Sequence, residues 1–401
     1  MRSFDDAQKI ILEDAQPLGE VTLPLLESMG SALSQPITSP FDLPRFDNSA
    51  MDGFGVCLKD VTSASDNTPV KLSVHKTIQA GSHSTETLSA GSAVKIMTGA
   101  PVPNGVDAVV MKEFCETKNG HVLVKKATQA GENIRKKGEE IKTGQTVLQA
   151  GTPVTPSVIG LLATLGLADV SVFKKPRIGI IATGNELIAP GKTLENGQIY
   201  DSNSFALSAA CQQLGLPQIA VAHASDDPEN LSETLKQTLA QSDVLITLGG
   251  VSVGDYDYVK SSLEALGMET RFWKINIKPG KPVLFGKFQN KLVFGLPGNP
   301  VSALVTFHLL VRPALLKILG HTHTSPNTCQ ALLTQTLKQK PGRRTFVRGK
   351  VFTQNGQWFA TPTQGQGSHM MLGLAEANCL IVFPEDKDTL LENKLAEVYF
   401  L

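Results

Sequence analysis

The stretch DVLITLGGVSVGDYD, residues 243–257, joins a short apolar run to a glycine-rich loop. Residues 243–248 have the length and composition of a buried strand, and a helical pattern begins near residue 257. This order of strand, loop and helix is typical of an α/β sheet whose loop lies at the carboxyl edge of the strand. Because glycine lets a ligand approach the backbone closely, we predict a binding loop here.

The same alternation of strand and helix patterns extends on both sides of this stretch, from about residue 174 to residue 320. Strands are predicted at 177–183, 218–223, 243–248, 271–277, 282–286 and 292–296, and helices at 202–214, 227–241, 257–266 and 301–319. Such alternation favours a doubly wound, mostly parallel sheet that helices cover. We therefore predict an α/β multi-domain protein with this sheet at its centre.

The flanking sequence has different patterns and predicts three further domains. Short alternating runs broken by glycine, proline and asparagine indicate an inserted β-rich domain, and short β-runs near the end indicate a small C-terminal β-barrel. The predicted boundaries are 1–45 plus 136–173 for a discontinuous N-terminal domain, 46–135 for the inserted β-rich domain, 174–320 for the α/β domain and 321–401 for the barrel.

The composition excludes several classes of protein. The 401 residues contain 37 Lys and Arg against 37 Asp and Glu, so no global field attracts nucleic acid or an acidic membrane. No apolar run of about 18 residues is evident and the N-terminus lacks signal-peptide features, which favours a cytoplasmic protein with no membrane partner. Five widely separated cysteines argue against a disulfide framework or a zinc knuckle.

The loop 249–254 predicts a phosphate cradle. Gly249, Gly250 and Gly254 allow successive N–H groups to face one anion, and the following helix N-terminus adds partial positive charge. Ser252 adds a hydroxyl. Asp257 would repel the anion unless a metal ion lay between them. An ordinary strand-to-helix turn remains the alternative interpretation.

Carboxylates follow other predicted strands: Glu186, Asp201 and the pair Asp226–Asp227. Asp227 precedes a proline and is expected to cap a helix, which leaves Asp226 without a structural role. Oxygen ligands from strand-end loops suit Mg²⁺, which takes one or two carboxylates and keeps waters. We predict that Glu186, Asp226 and Asp257 hold Mg²⁺ directly or through water.

Positive charge is concentrated in residues 274–281, KINIKPGK. Alternation along a strand puts Lys274, Asn276 and Lys278 on one face, and Lys281 follows at the strand edge. The stretch Pro297-Gly298-Asn299-Pro300 opens another helix at the same sheet edge and is interpreted as pocket wall. These residues complete a predicted anion site.

Several separated stretches together resemble the MoeA family of molybdopterin molybdotransferases, which the E domain of gephyrin also represents. They are residues 47–53 (DNSAMDG), 97–101 (MTGAP), 249–257, 277–281 and 296–302. The resemblance implies insertion of molybdate, the substrate, into adenylylated molybdopterin, with Mg²⁺ required and AMP released. It also implies a four-domain homodimer whose pocket lies between the α/β domain of one subunit and the β-rich domain of the other.

The family's functional positions fall on the following residues of this sequence: Asp52, Thr98, Arg135, Glu186, Asp226, Asp257, Lys274, Lys278, Arg348 and Ser368. At Glu139-Glu140 the family often has Glu-Asp, so the role of Glu140 stays open. Two alternatives are a molybdopterin adenylyltransferase, which is also a candidate partner, and a non-catalytic scaffold like gephyrin. The sequence does not distinguish molybdate from tungstate.

Overall fold

The computed structural model describes residues 1–82, 87–250 and 258–401. Its described residues divide into a larger unit, Met1–Gln35 with Ala150–Ala163 and Leu167–Leu401, and a smaller unit, Pro36–Gln149 with Thr164–Gly166. Ser252, Gly254 and Asp257 lie outside the described residues, so their predicted roles stay predictions.

The larger unit contains the predicted central sheet. Its order is Ile219–Ala224, Ile178–Thr183, Val244–Leu248, Lys291–Leu296, Leu284–Phe288 and Glu269–Trp273. Neighbouring strands in the first four positions are parallel, and Leu284–Phe288 runs antiparallel to both of its neighbours. The parallel strands bring the loops after residues 183, 224, 248 and 296 to one edge.

Helices cover the sheet because successive strand residues face opposite sides. Ile181 and Leu245 pack in one cluster with the helix Pro228–Gln241, whereas Ile180 and Ile246 pack in another. Both clusters are buried, which makes the sheet doubly wound. The other helices of this region are Asn203–Gln213, Val259–Ala265, Pro300–Thr306 and Arg312–Ile318, the last two joined by a π-helical turn, Phe307–Val311.

The continuous helix Pro300–Ile318 is long and apolar enough to cross a bilayer, which the sequence prediction had excluded. However, 78% of its most apolar window is buried inside the protein. Its composition therefore reflects its position in the core of the larger unit, where Val305, Phe307 and Leu310 are completely buried.

The predicted strand 271–277 is confirmed only as far as Trp273, and its extension to residue 277 is wrong. The strand ends at Trp273, Lys274 has a φ of +70°, and a separate strand, Ile277–Lys278, pairs with the C-terminal region instead. A left-handed residue breaks the alternation on which the prediction depended. Lys274 and Lys278 consequently do not lie on one face of one strand.

The C-terminal region forms the predicted barrel. Strands Arg344–Gln354, Gln357–Pro362, Thr328–Leu333, Leu395–Phe400 and Cys379–Phe383 pair in this order, and the last pairs with the first to close the ring. A short pair, Leu337–Lys338 with Thr389–Leu390, and a helix, Met371–Ala375, lie outside this ring. Closure removes the unpaired edges that an open sheet would expose.

The smaller unit is β-rich, as predicted. Its sheet order is Ala108–Met111, Gly53–Val56, Ser92–Ile96, Val70–Ile78, His121–Val124 and Cys115–Lys118. Shorter strands are Ile37–Thr38 with Thr146–Leu148, and Asn48–Ser49 with Ile134–Arg135, and the helical segments are Leu58–Val61 and Lys112–Phe114.

The remaining elements are of two kinds. The helices Phe4–Asp14 and Pro156–Thr164 and the antiparallel pair Glu20–Pro24 with Asp169–Phe173 fall within the residue ranges predicted for the N-terminal domain. The short parallel pair Leu187–Ile188 with Ile199–Tyr200 belongs to the larger unit. Ser3 Oγ caps the first helix by accepting from Asp6 N–H at 3.1 Å. The division into four domains with boundaries at residues 45, 135, 173 and 320 stays a prediction.

Candidate functional site

A cleft of about 660 Å³ lies at the carboxyl ends of the parallel strands of the larger unit. We call it the acidic cleft. Its walls include Thr183, Gly184, Glu186, Tyr200, Asp201, Asn203, Asp226, Gly249, Gly250, Gly298, Asn299, Pro300 and His369. Three carboxylates among these lining residues make the cleft electronegative.

Backbone geometry places the carboxylates of Glu186 and Asp226 in this cleft. A Cβ at Gly184, whose φ is +143°, would come within 2.4 Å of Glu186 Oε2, so a larger residue there would displace that carboxylate. Asp226 Oδ2 accepts from Asn185 N–H at 3.3 Å, and Asp226 N–H donates to Asn185 Oδ1 at 3.3 Å. Reciprocal bonds thus join two strand-end loops.

Two other aspartates near the acidic cleft, Asp227 and Asp201, bond to the chain itself. Asp227 Oδ2 accepts from Asn230 N–H at 2.8 Å and caps the helix Pro228–Gln241, which confirms the expected structural role. Asp201 is buried and accepts from the N–H of Ser204 at 3.0 Å and from its hydroxyl, while His223 Nε2 lies 3.7 Å away. Asp226 lines the acidic cleft, and its carboxylate accepts one hydrogen bond from the described residues, at 3.3 Å.

The glycine-rich loops meet at the floor of the acidic cleft. Gly249 and Gly250 have φ angles of +89° and +63°, and a Cβ on Gly298 would lie 3.6 Å from Gly249 Cα. Asn203 Nδ2 donates to Gly298 O at 2.7 Å and anchors the second loop. Gly249 N–H donates to Leu296 O at 3.0 Å, so the prediction that this amide faces an anion is wrong.

A second cleft, of about 430 Å³, lies between the barrel and the helix that begins at Pro300. We call it the basic cleft. Its walls include Lys278, Lys281, Ser302, Gln339, Arg343, Thr345, Arg348, Gln366 and Ser368. The described lining residues contain four cations and no carboxylate, which suits an oxyanion.

Arg348 supplies a buried positive charge to the wall of the basic cleft. Its side chain is 2% exposed, and its guanidinium donates to Gly367 O at 3.1 Å and to Gly365 O at 2.7 Å. Burial lowers the pKa of the guanidinium, but arginine remains charged near neutral pH. Arg348 therefore orders the loop 363–369 and leaves its charge without a carboxylate partner among the described residues.

The two clefts share a thin wall. Pro300 lines the acidic cleft and Ser302 the basic cleft, while Ser368 lines the basic cleft and His369 the acidic one. Val301 N–H donates to Ser368 O at 3.1 Å and joins the two halves of the wall. Groups bound in the two clefts would therefore be close neighbours.

The lysines at 274–281 separate into two environments. Lys278 Nζ donates to Gln339 Oε1 at 3.0 Å, and Lys281 also lines the basic cleft. Lys274 Nζ instead lies 3.7 Å from the centre of the Trp273 ring, and Lys274 lines neither cleft. The break in the strand after Trp273 explains this separation.

In the smaller unit, two predicted residues meet. Thr98 donates from both its N–H and its hydroxyl to Asp52 Oδ1 at 2.9 Å, and Lys112 Nζ lies 3.6 Å from Asp52 Oδ2. These groups, led by the Thr98 N–H, lower the pKa of the Asp52 carboxyl. Arg135 pairs in register with Asn48, so the stretches 47–53, 97–101 and 134–135 form one surface.

The structure thus brings most predicted residues into three groups. The acidic cleft is lined by Glu186, Asp226, Gly249, Gly250, Gly298, Asn299 and Pro300, and Pro297 lies in the same loop as the last three. The basic cleft is lined by Lys278, Lys281, Arg348 and Ser368. The smaller unit contains Asp52, Thr98 and Arg135. Sequence reasoning missed Asn203, His369, Gln339 and Arg343. The dense run of cations at 338–344 was an available signal for Arg343.

The described residues contain no group of three or more His, Cys, Asp or Glu side chains that could hold a metal. Glu186 and Asp226 nevertheless offer two hard oxygen donors at one cleft. That donor set fits Mg²⁺, which binds through one or two carboxylates together with waters and ligand phosphate.

Comparison with known proteins covers nearly the whole chain. Family models match in order: the MoeA N-terminal region (domain I and II) over residues 2–166, a probable molybdopterin binding domain over 179–317 and the MoeA C-terminal region (domain IV) over 330–401. A molybdopterin molybdenumtransferase of Haemophilus influenzae is 38% identical over 391 residues, 96% of this chain and 95% of that protein. The chain belongs to the MoeA family.

Further MoeA relatives support the same assignment. Molybdopterin molybdenumtransferase 2 of Mycobacterium tuberculosis is 38% identical over 96% of both chains. A molybdopterin biosynthesis MoeA protein from Pyrococcus horikoshii superposes with a TM-score of 0.85 at 28% identity over the whole of both chains. The MoeA resemblance and the multi-domain fold predicted from the sequence are thereby confirmed.

Proposed function

We propose that this chain is a molybdopterin molybdenumtransferase that inserts molybdate into adenylylated molybdopterin, releases AMP and forms molybdenum cofactor. Relatives that match it over nearly their whole length carry the name of this activity. The match includes both clefts, since the molybdopterin binding model spans 179–317 and the C-terminal model spans 330–401.

The observation that carries the proposal is the contact between two clefts of opposite charge. An adenylylated substrate contains an anionic phosphate linkage, and the second substrate is a tetrahedral dianion. A carboxylate-lined cleft accepts the linkage only together with a cation, whereas a cleft with four cations accepts a dianion directly. The shared wall at Val301 and Ser368 brings the two substrates together.

Mg²⁺ belongs to the proposal at the acidic cleft. Glu186 and Asp226 would hold it, with Asp257 as a further predicted ligand outside the described residues. When bound there, the ion would neutralise phosphate oxygens as the linkage to AMP breaks. The chain's own contribution is to hold the Asp226 carboxylate through Asn185, to place Glu186 in the same cleft, and to leave room for phosphate above Gly249 and Gly250.

In the basic cleft, Lys278, Lys281 and Ser368 would bind the incoming oxyanion, and Arg348 would add charge from beneath. Charge-assisted hydrogen bonds of this kind are short and strong. Molybdenum itself would be held by the sulfurs of the pterin, so no cysteine or histidine site is needed. Lys274 keeps only the role that the family resemblance implies, because it lines neither cleft.

Purified protein tests this activity when adenylylated molybdopterin, Mg²⁺ and molybdate are mixed and AMP is followed by chromatography. We expect AMP release that requires both the oxyanion and Mg²⁺, and a parallel series with tungstate measures the metal preference. No AMP release under any of these conditions would reject the proposal.

The two alternatives differ in what they consume and form. A molybdopterin adenylyltransferase would use ATP and unmodified molybdopterin and release pyrophosphate. A scaffold would form large assemblies without turnover, which light scattering would detect. The relatives' names favour the molybdenum-inserting activity over both.

The assembly and location complete the proposal. A homodimer would bring Asp52, Thr98 and Arg135 of one subunit to the pocket of its partner, as the family resemblance implies. We also propose a cytoplasmic location and delivery of substrate by a molybdopterin adenylyltransferase. Sedimentation velocity tests the dimer, and co-purification tests the delivery partner.

A further inference from the structure

A third cavity, of about 650 Å³, opens outside the basic cleft and is strongly cationic. We call it the outer groove. Lys338, Lys340 and Arg343 project into it from one short segment, and Asp388 is the one carboxylate among its described lining residues. None of the three cations forms an ion pair with another described residue.

The outer groove is continuous with the basic cleft. Lys278, Gln339, Arg343 and Thr345 line both cavities, so two cations stand where the cavities join. The bond from Lys278 Nζ to Gln339 Oε1 uses a neutral acceptor, which leaves the ammonium charge uncompensated. Positive potential therefore extends from the surface to the buried Arg348.

The segment that carries the three cations is firmly held. Leu337–Lys338 pairs with Thr389–Leu390, Gln339 N–H donates to Asp388 O at 3.0 Å, and Gly342 N–H donates to Glu385 O at 2.7 Å. Arg344 closes the segment through ion pairs with Asp5 at 2.7 Å and Glu385 at 3.0 Å. Because the backbone of this segment is anchored, its unpaired cations produce a positive electrostatic potential at a fixed position.

We infer that the outer groove is an entrance that attracts small divalent oxyanions and guides them to Lys278. This inference rests on the proposed function, because it assumes an oxyanion substrate in the basic cleft. The whole chain has no net charge, so the attraction must come from this local cluster. Clefts lined by one sign of charge raise association rates by roughly 10- to 1,000-fold at low ionic strength.

The ordinary alternative is that exposed lysines only keep the surface solvated. The two interpretations differ in their salt dependence. An entrance makes capture of a dianion fall as salt screens the field, with a Debye length of about 10 Å at 0.1 M. A solvated surface leaves capture unchanged.

The test compares the double variant Lys338→Gln, Lys340→Gln, which leaves every cation of the basic cleft in place, with the double control Lys71→Gln, Lys236→Gln. The control residues are exposed, line none of these cavities and remove the same charge. We expect the groove variant to lose about tenfold in kcat/KM for molybdate at 20 mM salt, with kcat retained and the difference vanishing near 0.5 M salt. The control should follow the wild type.

Calorimetric titration with tungstate at the same salt concentrations provides a readout that needs no turnover. A groove variant with wild-type kcat/KM and wild-type salt dependence would overturn the inference while AMP release continued to support the proposed function. If the wild type released no AMP, the proposed function would fail, and the tungstate titrations would still decide whether the groove collects dianions. Equal losses in groove variant and control would also overturn the inference.

Discussion

The acidic and basic clefts are neighbours in space but are built in opposite ways. The acidic cleft consists mainly of loops that follow parallel strands, and backbone N–H groups donate to the carboxylates of Asp201 and Asp226. The basic cleft is assembled from a short strand, a helix start and three barrel segments, and its charges lie on long side chains. The topology of the sheet therefore determines the position of the acidic cleft, whereas contacts between distant parts of the chain form the basic cleft.

This difference shows how the larger unit separates two electrostatic tasks. Carboxylates and lysines mixed in one cavity would pair with each other and lose their charge for ligands. Here the wall from Pro300 to Ser302 and from Ser368 to His369 keeps them apart. The clefts therefore retain potentials of opposite sign within the reach of one extended ligand.

The largest expected effect comes from removing the charge of the acidic cleft. The double variant Glu186→Gln, Asp226→Asn should lower AMP release on the order of 1,000-fold, because it removes both described ligands of the proposed Mg²⁺, whose charge stabilisation would be worth several kcal/mol. Calorimetry should show weaker Mg²⁺ binding, while tungstate binding in the basic cleft should persist. Wild-type AMP release and wild-type Mg²⁺ binding in this variant would show that the acidic cleft is not the site of Mg²⁺ binding.

Asp227→Ala provides the matched control, since Asp227 adjoins Asp226 but caps a helix. Loss of this helix cap should lower the free energy of unfolding by about 1 kcal/mol and leave the KM for molybdate unchanged. Urea denaturation measures the first quantity. A large loss of turnover in this variant would contradict the assignment of separate roles to the two aspartates.

The contrast between the clefts also explains what the sequence could predict. The acidic cleft followed from local patterns, because each of Glu186, Asp226 and Gly249 lies just after an apolar strand, and parallel strands end at one edge. The basic cleft forms only when Lys278 meets Gln339 and Arg348, which lie more than 60 residues away in the sequence. Local sequence periodicity does not predict such a contact. The positive φ of Lys274 was likewise hidden, because Lys274 sits within an alternation typical of a strand.

A smaller effect should follow from changing the neutral acceptor of Lys278. Gln339→Glu places a carboxylate against the Lys278 ammonium, so the KM for molybdate should rise about tenfold, which corresponds to about 1.4 kcal/mol. Gln339→Ala removes the acceptor without adding charge and should have a weaker effect. Mg²⁺ dependence should be unchanged in both variants, because the acidic cleft is untouched.

Initial rates at varied molybdate and varied Mg²⁺ separate these effects. Equal KM values in the Glu and Ala variants would indicate that geometry rather than charge matters at Gln339. A shift in Mg²⁺ dependence would show that the shared wall transmits changes between the clefts.

The smallest expected effect concerns a carboxylate at the opposite edge of the central sheet. Asp243 accepts from the Arg177 side chain at 2.9 and 3.0 Å and from its N–H at 2.9 Å, and these bonds, led by the side chain, lower the pKa of Asp243 below its ordinary value of 3.8. The unfolded chain therefore takes up this proton first as the pH falls. The pair stabilises the fold at neutral pH and loses that contribution below about pH 4.

Asp243→Asn should reduce the free energy of unfolding by about 1 kcal/mol at pH 7, a modest value because Arg177 is 45% exposed. The difference from the wild type should shrink between pH 4 and pH 3, and AMP release should be unaffected. Urea denaturation across this pH range makes the measurement. A constant difference at all pH values would mean that the pair acts through hydrogen bonding alone, and that charge on this sheet is important only at the edge that forms the acidic cleft.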